Sequence, residues 1–324
     1  MMFNEQSAAR GTYSRYDAVG PRPIHFVVIH ATQLDYSQTV ERFTTDNGVS
    51  AHYLIRHRDG AVTQFVNDQD VAWHAGNWAM NAMSIGIELE AVIDQPAPFS
   101  MVQLRALVRL LTSLTDQYQI QRDRAHIIGH DNVPAPTATS VPTMHTDPGL
   151  QFDWAWLLPQ LGVINPRLLP PVIGQPIVSL KNTVSLYRQP DQQAPLTTEG
   201  PAWTRQLSYG QLFECAAFRP DWIGIWYNGK LAWLQAEAGI GRPESGLQEA
   251  PLSGPISVTS GPQTAAAKLA NLPDEYRAVV LDHLKGPELV DCAGHIELGP
   301  TRSAQLIWLN HRLGFVPASS SPIN

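Results

Sequence analysis

The chain has 324 residues, 44% hydrophobic and 16% charged, with a formal net charge of -7 at pH 7. This exceeds the roughly 100–200 residues of a single domain and supplies apolar surface for more than one core. The acidity lies in the first half, where residues 1 to 160 carry sixteen carboxylates against ten cationic side chains, and the lack of a basic footprint argues against a nucleic-acid partner.

Two cysteines, Cys215 and Cys292, are too few for a disulfide framework. No stretch approaches the ~20 apolar residues of a membrane span. The opening MMFNEQSAARGTYSRYD has no apolar signal core, so classical export is not expected from this chain.

In chain order, HFVVIH reads as a buried strand and SQTVERFTTDNG as a helix stopped by Gly48. AHYLIRH and AVTQFV, separated by RDG, form an expected hairpin. SIGIELEAV is a further strand. Ser100 with Gln103 makes a capping box for MVQLRALVRLLTSLTDQY, where Leu104, Leu107, Val108, Leu111 and Leu114 recur at helical spacing. AHIIGH supplies another strand and FDWAWLLPQL a closing helix. Such alternation predicts an α/β domain over 1–160, a mixed central sheet packed with helices. Prolines 159, 166, 170, 171 and 176 mark a spacer over 161–177.

Beyond it the chain repeats itself. LFECA at 212 matches LVDCA at 289, and IWYNGKLAWL at 225 matches IWLNHRLGFV at 307, offsets of 77 and 82 residues. Each copy predicts a closing hairpin around Asn228-Gly229 or Asn310-His311. The pair resembles two small all-β bacterial SH3-like barrels, over 178–245 and 252–320, with Cys215 and Cys292 as equivalent core positions.

Chemistry concentrates in the first domain. His30 ends HFVVIH, His130 ends AHIIGH, and Asp147 lies in MHTDPG, which places three metal-competent side chains at expected strand ends. Two histidines and one carboxylate leave a fourth position open, as catalytic zinc sites do, whereas structural sites are closed by four protein ligands. The proline-rich stretch between His130 and Asp147 suits a loop that returns Asp147 to the site. Glu88 and Glu90 share one strand face by their spacing. His25, His52, His57 and His126 are expected to be structural, and Asp131 either an Asx-type turn residue or a partner or fourth ligand at the site.

FVVIHAT, SAHYLIRHRDGAVTQFV, AWHAG, NAMSIGIELE, GHDNVPAP and HTDPGLQFDW, in that order, resemble the type-2 N-acetylmuramoyl-L-alanine amidases, relatives of phage amidases and animal peptidoglycan recognition proteins. The resemblance implies an endolysin-like zinc hydrolase that cuts the amide between the lactyl group of N-acetylmuramic acid and L-alanine. It puts one zinc ion on His30, His130 and Asp147, selects Glu88 as the catalytic acid/base, and sets Tyr53 beside the metal. Trp73, His74 and Asn77 match the family's substrate groove.

One departure concerns the residue two before the aspartate ligand. Many members carry lysine there, but the chain has no lysine before Lys181, so the oxyanion-stabilising role falls to His145. Histidine near its unperturbed pKa of about 6.5 gives a steeper pH dependence than lysine.

Peptidoglycan or muropeptides are the expected partners, with the SH3-like pair binding cell wall, and a monomer is expected. Two alternatives stand beside a wall amidase: a recognition protein without catalysis, and a cytoplasmic amidase trimming anhydro-muropeptides. The location therefore stays open between cytoplasm and non-classical release to the wall. The metalloprotease motif H-E-x-x-H is absent.

Overall fold

A computed structural model describes residues 4–196, 205–237, 239–244 and 251–318. The chain forms two compact units. The first comprises residues 1–133, 145–163 and 287–300, and the second residues 134–144, 164–286 and 301–324. The expected module ends at 245 and 320 fall outside the described residues.

The first unit is α/β. Its main sheet is built from β1 (Asn4–Glu5), β2 (Phe26–Ala31), β3 (Tyr53–Ile55), β4 (Val62–Gln64), β5 (Ser84–Leu89) and β6 (Ile127–Gly129). They form one sheet in the order β1-β4-β3-β5-β2-β6. The β3–β4 hairpin is antiparallel and the other pairings are parallel, so the sheet is mixed as expected. Every residue of β2 is buried, which explains its continuous apolar run, since a strand covered on both faces has no polar side to alternate with.

Helix α1 (Tyr36–Thr44) begins at a capping box of Asp35 and Gln38, and a short helix α2 (Trp78–Met83), not foreseen from sequence, is capped by Asn77. Helix α3 (Met101–Tyr118) starts at Ser100 as expected, but Gln103 does not complete the box. Its amide instead donates to the carbonyls of Ile55 and Glu90 at 2.9 and 3.1 Å, pinning the helix to the C-terminal ends of the neighbouring strands β3 and β5. The buried face of α3 runs through Ala106, Leu107, Leu110, Leu111 and Leu114, with Leu104 and Val108 half-buried beside it. Helix α4 (Trp154–Gln160) is capped by Asp153. Among the described residues no helix is long and apolar enough to cross a membrane.

The second unit is mostly β. In chain order it contains β7 (Leu168–Leu169), β8 (Pro176–Ser179), β9 (Leu212–Arg219), β10 (Trp222–Tyr227), β11 (Lys230–Gln235), β12 (Ile240–Pro243), β13 (Ile256–Thr259) and β14 (Lys268–Leu272). β15 (Asp282–Asp291), β16 (Ile296–Trp308) and β17 (Leu313–Pro317) follow. One sheet has the order β11-β10-β9-β8-β12-β7 and another β14-β13-β17-β16-β15.

Both repeated segments form hairpins. Asn228 and Gly229 have φ of 52° and 78°, the left-handed geometry that joins twisted strands in two residues. The second copy instead needs the four residues between Trp308 and Leu313. The cysteines are not equivalent. Cys215 is buried within β9, whereas Cys292 is exposed just past β15, in the turn of a hairpin that belongs to the first unit. A turn residue has no sheet above it to cover it, so the core role expected for Cys292 does not hold.

Leu111 is fully buried in the α3 face. Leu111→Ala should cost about 2–5 kcal/mol through lost contacts and a residual cavity, to be checked by denaturant unfolding.

Candidate metal centre

His30 and Glu88 reach the same place because β2 and β5 are parallel neighbours in a register that pairs one with the other. Side chains at paired positions of adjacent strands share a face. His130 opens a 3-10 turn (His130–Asn132) just after β6. Asn132 Oδ1 accepts from Gly129 N at 3.0 Å and from Arg124 at 2.7 Å, which holds that turn against the strand. The segment carrying Asp147 is tied on directly, since Asp131 N donates to the Asp147 carbonyl at 2.8 Å. Gly129 permits this approach: a Cβ there would stand 2.6 Å from Pro148 Cδ.

The three side chains converge. His30 Nδ1 lies 2.9 Å from His130 Nδ1, His130 Nδ1 lies 3.2 Å from Asp147 Oδ1, and His30 Nδ1 lies 3.5 Å from Asp147 Oδ2. Ligand bonds of about 2.0–2.2 Å arranged tetrahedrally put donor atoms about 3.3–3.6 Å apart. The observed edges fall around that spacing, and two nitrogens with one carboxylate suit zinc. Among the described residues this is the group of histidine, cysteine and acidic side chains placed to hold a metal ion.

The protonation states agree. Burial, reinforced by the neighbouring His130, lowers His30 to about 4, so its ring is neutral at pH 7, as ligation requires. Burial opposes ionisation of Asp147, but the charge of His130 and hydrogen bonds from His130 and His30 outweigh it and hold the carboxyl well below its ordinary range. Asp147 Oδ2 also accepts from Ala31 N at 3.1 Å.

His74 stands behind the ligands. Its Nδ1 lies 2.9 Å from His30 Nε2, and its Nε2 lies 3.3 Å from Ser84 Oγ. The ring packs over the strand at Gly86, where a Cβ would come within 2.5 Å of His74 Cγ. Burial, reinforced by the crowding of His30 and other ionisable neighbours, pushes His74 well below the ordinary histidine range. It thus fixes the orientation of His30.

Glu88 faces the same cleft, about 680 Å³, together with His30, His130, His145 and Asp147. Burial, with the Asp147 carboxylate second, raises the Glu88 carboxyl well above its ordinary range, the direction that suits proton transfer near neutral pH. Its Oε2 is buried with no hydrogen-bond partner among the described residues. Glu90, by contrast, is occupied with backbone, accepting from Tyr36 N at 2.9 Å and His57 N at 2.7 Å.

His145 sits at the cleft mouth. Its side chain is 60% exposed, with Nδ1 3.9 Å from Asp147 Oδ1 and its ring stacked on His130 at 4.1 Å. Trp73 and Asn77 line the cleft; Trp73 is braced by Ser50 and Ser14, and Asn77 also caps α2.

Tyr53 is not brought to the site. In the β3–β5 register Leu54, not Tyr53, pairs with Glu88, so Tyr53 points to the opposite face. There its hydroxyl donates to Asp68 at 2.6 Å, and it plays no part in the cleft. Of the histidines expected to be structural, His52 accepts from Gly86 N at 3.0 Å and His126 lies 2.8 Å from Asp123. Sequence reasoning missed Arg42, Trp78 and Asp291, which also line the cleft. Trp78 directly follows the groove motif, but Arg42 and Asp291 carry no local signal.

Residues 20–150 match the N-acetylmuramoyl-L-alanine amidase family. This segment is therefore similar to the type-2 amidases. The N-acetylmuramoyl-L-alanine amidase AmiD of Escherichia coli is 32% identical over 168 residues, covering 46% of this chain and 57% of that protein. The 1,6-anhydro-N-acetylmuramyl-L-alanine amidase AmpD of Haemophilus influenzae is 40% identical over 113 residues, 33% of this chain and 55% of the relative. The chain thus spans little more than half the length of these two relatives. A solved complex of the E. coli amidase AmiD with anhydro-N-acetylmuramic acid-L-Ala-D-γ-Glu-L-Lys aligns with a TM-score of 0.37 and 29% identity, covering 48% of this chain and 68% of that one.

Because His74 Nδ1 lies against His30 Nε2, His74→Ala should weaken zinc binding at the candidate site about 10–100-fold without unfolding the protein. Competition with a chromogenic chelator, alongside circular dichroism, measures both.

Proposed function

We propose that this protein is a zinc-dependent N-acetylmuramoyl-L-alanine amidase acting on peptidoglycan or muropeptides. The observation that carries this is the triad of His30, His130 and Asp147, whose donor atoms converge within 2.9–3.5 Å of one another, with Glu88 on the neighbouring strand in register with His30. Zinc, when bound, supplies Lewis-acid polarisation of the scissile carbonyl and acidifies water. Glu88, buried and short of a partner, takes a proton from the attacking water and delivers it to the departing L-alanine nitrogen. His145, half free of the wall at the mouth, donates a hydrogen bond to the carbonyl oxygen as charge develops. Trp73 and Asn77 offer an aromatic face and an amide to sugar and peptide, and His74 supports the metal from behind.

The second unit supports a wall-binding role. Its hairpins at IWYNGKLAWL and IWLNHRLGFV are the basis for viewing it as tandem SH3-like modules that keep a monomeric enzyme on its polymer. The 40% identity to AmpD favours a second reading, cleavage of soluble 1,6-anhydro-muropeptides. Comparing rates on intact sacculi and soluble anhydro-muropeptides separates the two.

Glu88→Gln should lower kcat by about 10²–10⁴-fold while zinc content, read by atomic absorption, is retained. Stripping zinc should abolish release of free L-alanine amino termini, and zinc should restore it. Stoichiometric zinc without amide cleavage would identify a recognition module and sink the enzymatic assignment.

His145→Ala should lower kcat with zinc still bound, and His145→Lys should recover most of the loss. Equal rates for the alanine variant and the wild type would remove His145 from the reaction.

A further inference from the structure

The cleft of the amidase unit is bordered by residues that lie far outside the family segment. Residues 287–300 form the tip of the β15–β16 hairpin and belong to the first unit. Leu289 and Ile296 are buried in a cluster with Val71 and Ala82, against which Tyr16 and Trp78 pack. Trp78 Nε1 donates to the Leu289 carbonyl at 2.7 Å. On the other side of the hairpin, Arg15 N donates to Gly294 O at 2.9 Å and Ile296 N to Arg15 O at 2.8 Å. Apolar burial and backbone hydrogen bonds together seat this segment as an integral wall rather than a passing loop.

The wall has a built tip. Ala293 and Gly294 have φ of 55° and 84°, a tight two-residue turn, closed by the Cys292 N donation to His295 O at 2.7 Å. Asp291 Oδ1 accepts from Gly294 N at 3.0 Å, so the carboxylate is held by the turn. Asp291 lines the same cleft as the candidate metal triad, Asn77 and Trp78. Among the described residues no cation pairs with Asp291. The wall therefore offers one oriented negative charge to whatever occupies the cleft.

We propose that the 287–300 hairpin is a substrate-selecting wall of the amidase cleft, and that Asp291 receives the side-chain ammonium of the diamino acid in the stem peptide. This rests on the amidase assignment. A stem peptide presents carboxylates and amide groups along its length, and its diamino residue is the place where it carries a positive charge. A carboxylate on a solvated rim steers and selects such a charge and loses effect as salt rises.

The test uses full-length zinc-loaded protein and two muramoyl peptides that differ only at the lysine-type side chain, one with a free ε-amine and one Nε-acetylated. Asp291→Asn keeps the acceptor for Gly294 N and removes the charge. Wild type should prefer the free amine, and Asp291→Asn should shrink that preference about threefold to tenfold, mainly through KM, with Asp291→Lys reversing it. The wild-type preference should also fall between low and high salt.

An unchanged preference in Asp291→Asn, or an equal loss on both substrates, overturns the proposal while leaving the amidase assignment intact. Cleavage of neither peptide by wild type overturns both.

Discussion

The register between the two central parallel strands, Phe26–Ala31 and Ser84–Leu89, is the constraint on which the site depends. It pairs His30 with Glu88, so the two side chains on which the proposed chemistry rests emerge side by side from the same face. A one-residue slip in either strand would turn every side chain over and leave the ligand facing an apolar layer. The same rule, applied one strand further along, pairs Glu88 with Leu54 and sends Tyr53 to the far face. One lattice of hydrogen bonds thus admits one residue to the chemistry and excludes another.

Bringing two imidazoles and a carboxylate into a buried corner is costly unless their charges and lone pairs are matched. The protein meets that cost locally. Burial keeps His30 neutral, histidine neighbours keep Asp147 ionised, and Ala31 N and His74 occupy the outward-facing atoms of the ligands. The result is a set of donor atoms that converge on a single point, the arrangement a metal ion requires. The absence of a side chain at Gly86 and Gly129 belongs to the same design, since each leaves room for a neighbour that the site cannot do without.

Neither unit is one continuous stretch of chain. Residues 134–144, between His130 and Asp147 in sequence, group with the mostly β unit, while residues 287–300 group with the α/β unit. The internal repeat explains the shared hairpins but not this exchange. Two matching pentapeptides, LFECA and LVDCA, end in different surroundings: one forms the buried part of a strand, the other reaches the exposed end of a hairpin. Local sequence sets strand character, and neighbours decide whether a strand is covered.

The sequence by itself determined the apolar strands of the first unit, the cap at Ser100 and the three side chains that could hold a metal ion, because apolar periodicity, capping residues and ligand type are local properties carried by short motifs. It also held the choice between Glu88 and Glu90 as two carboxylates on one face, which only the backbone donors claiming Glu90 separate. Tertiary structure alone decided that Tyr53 faces away, that His74 backs a ligand, and that Asp291 borders the cleft. Each of those outcomes depends on strand register or on contacts between residues distant in the chain, and no local pattern encodes a distance between them.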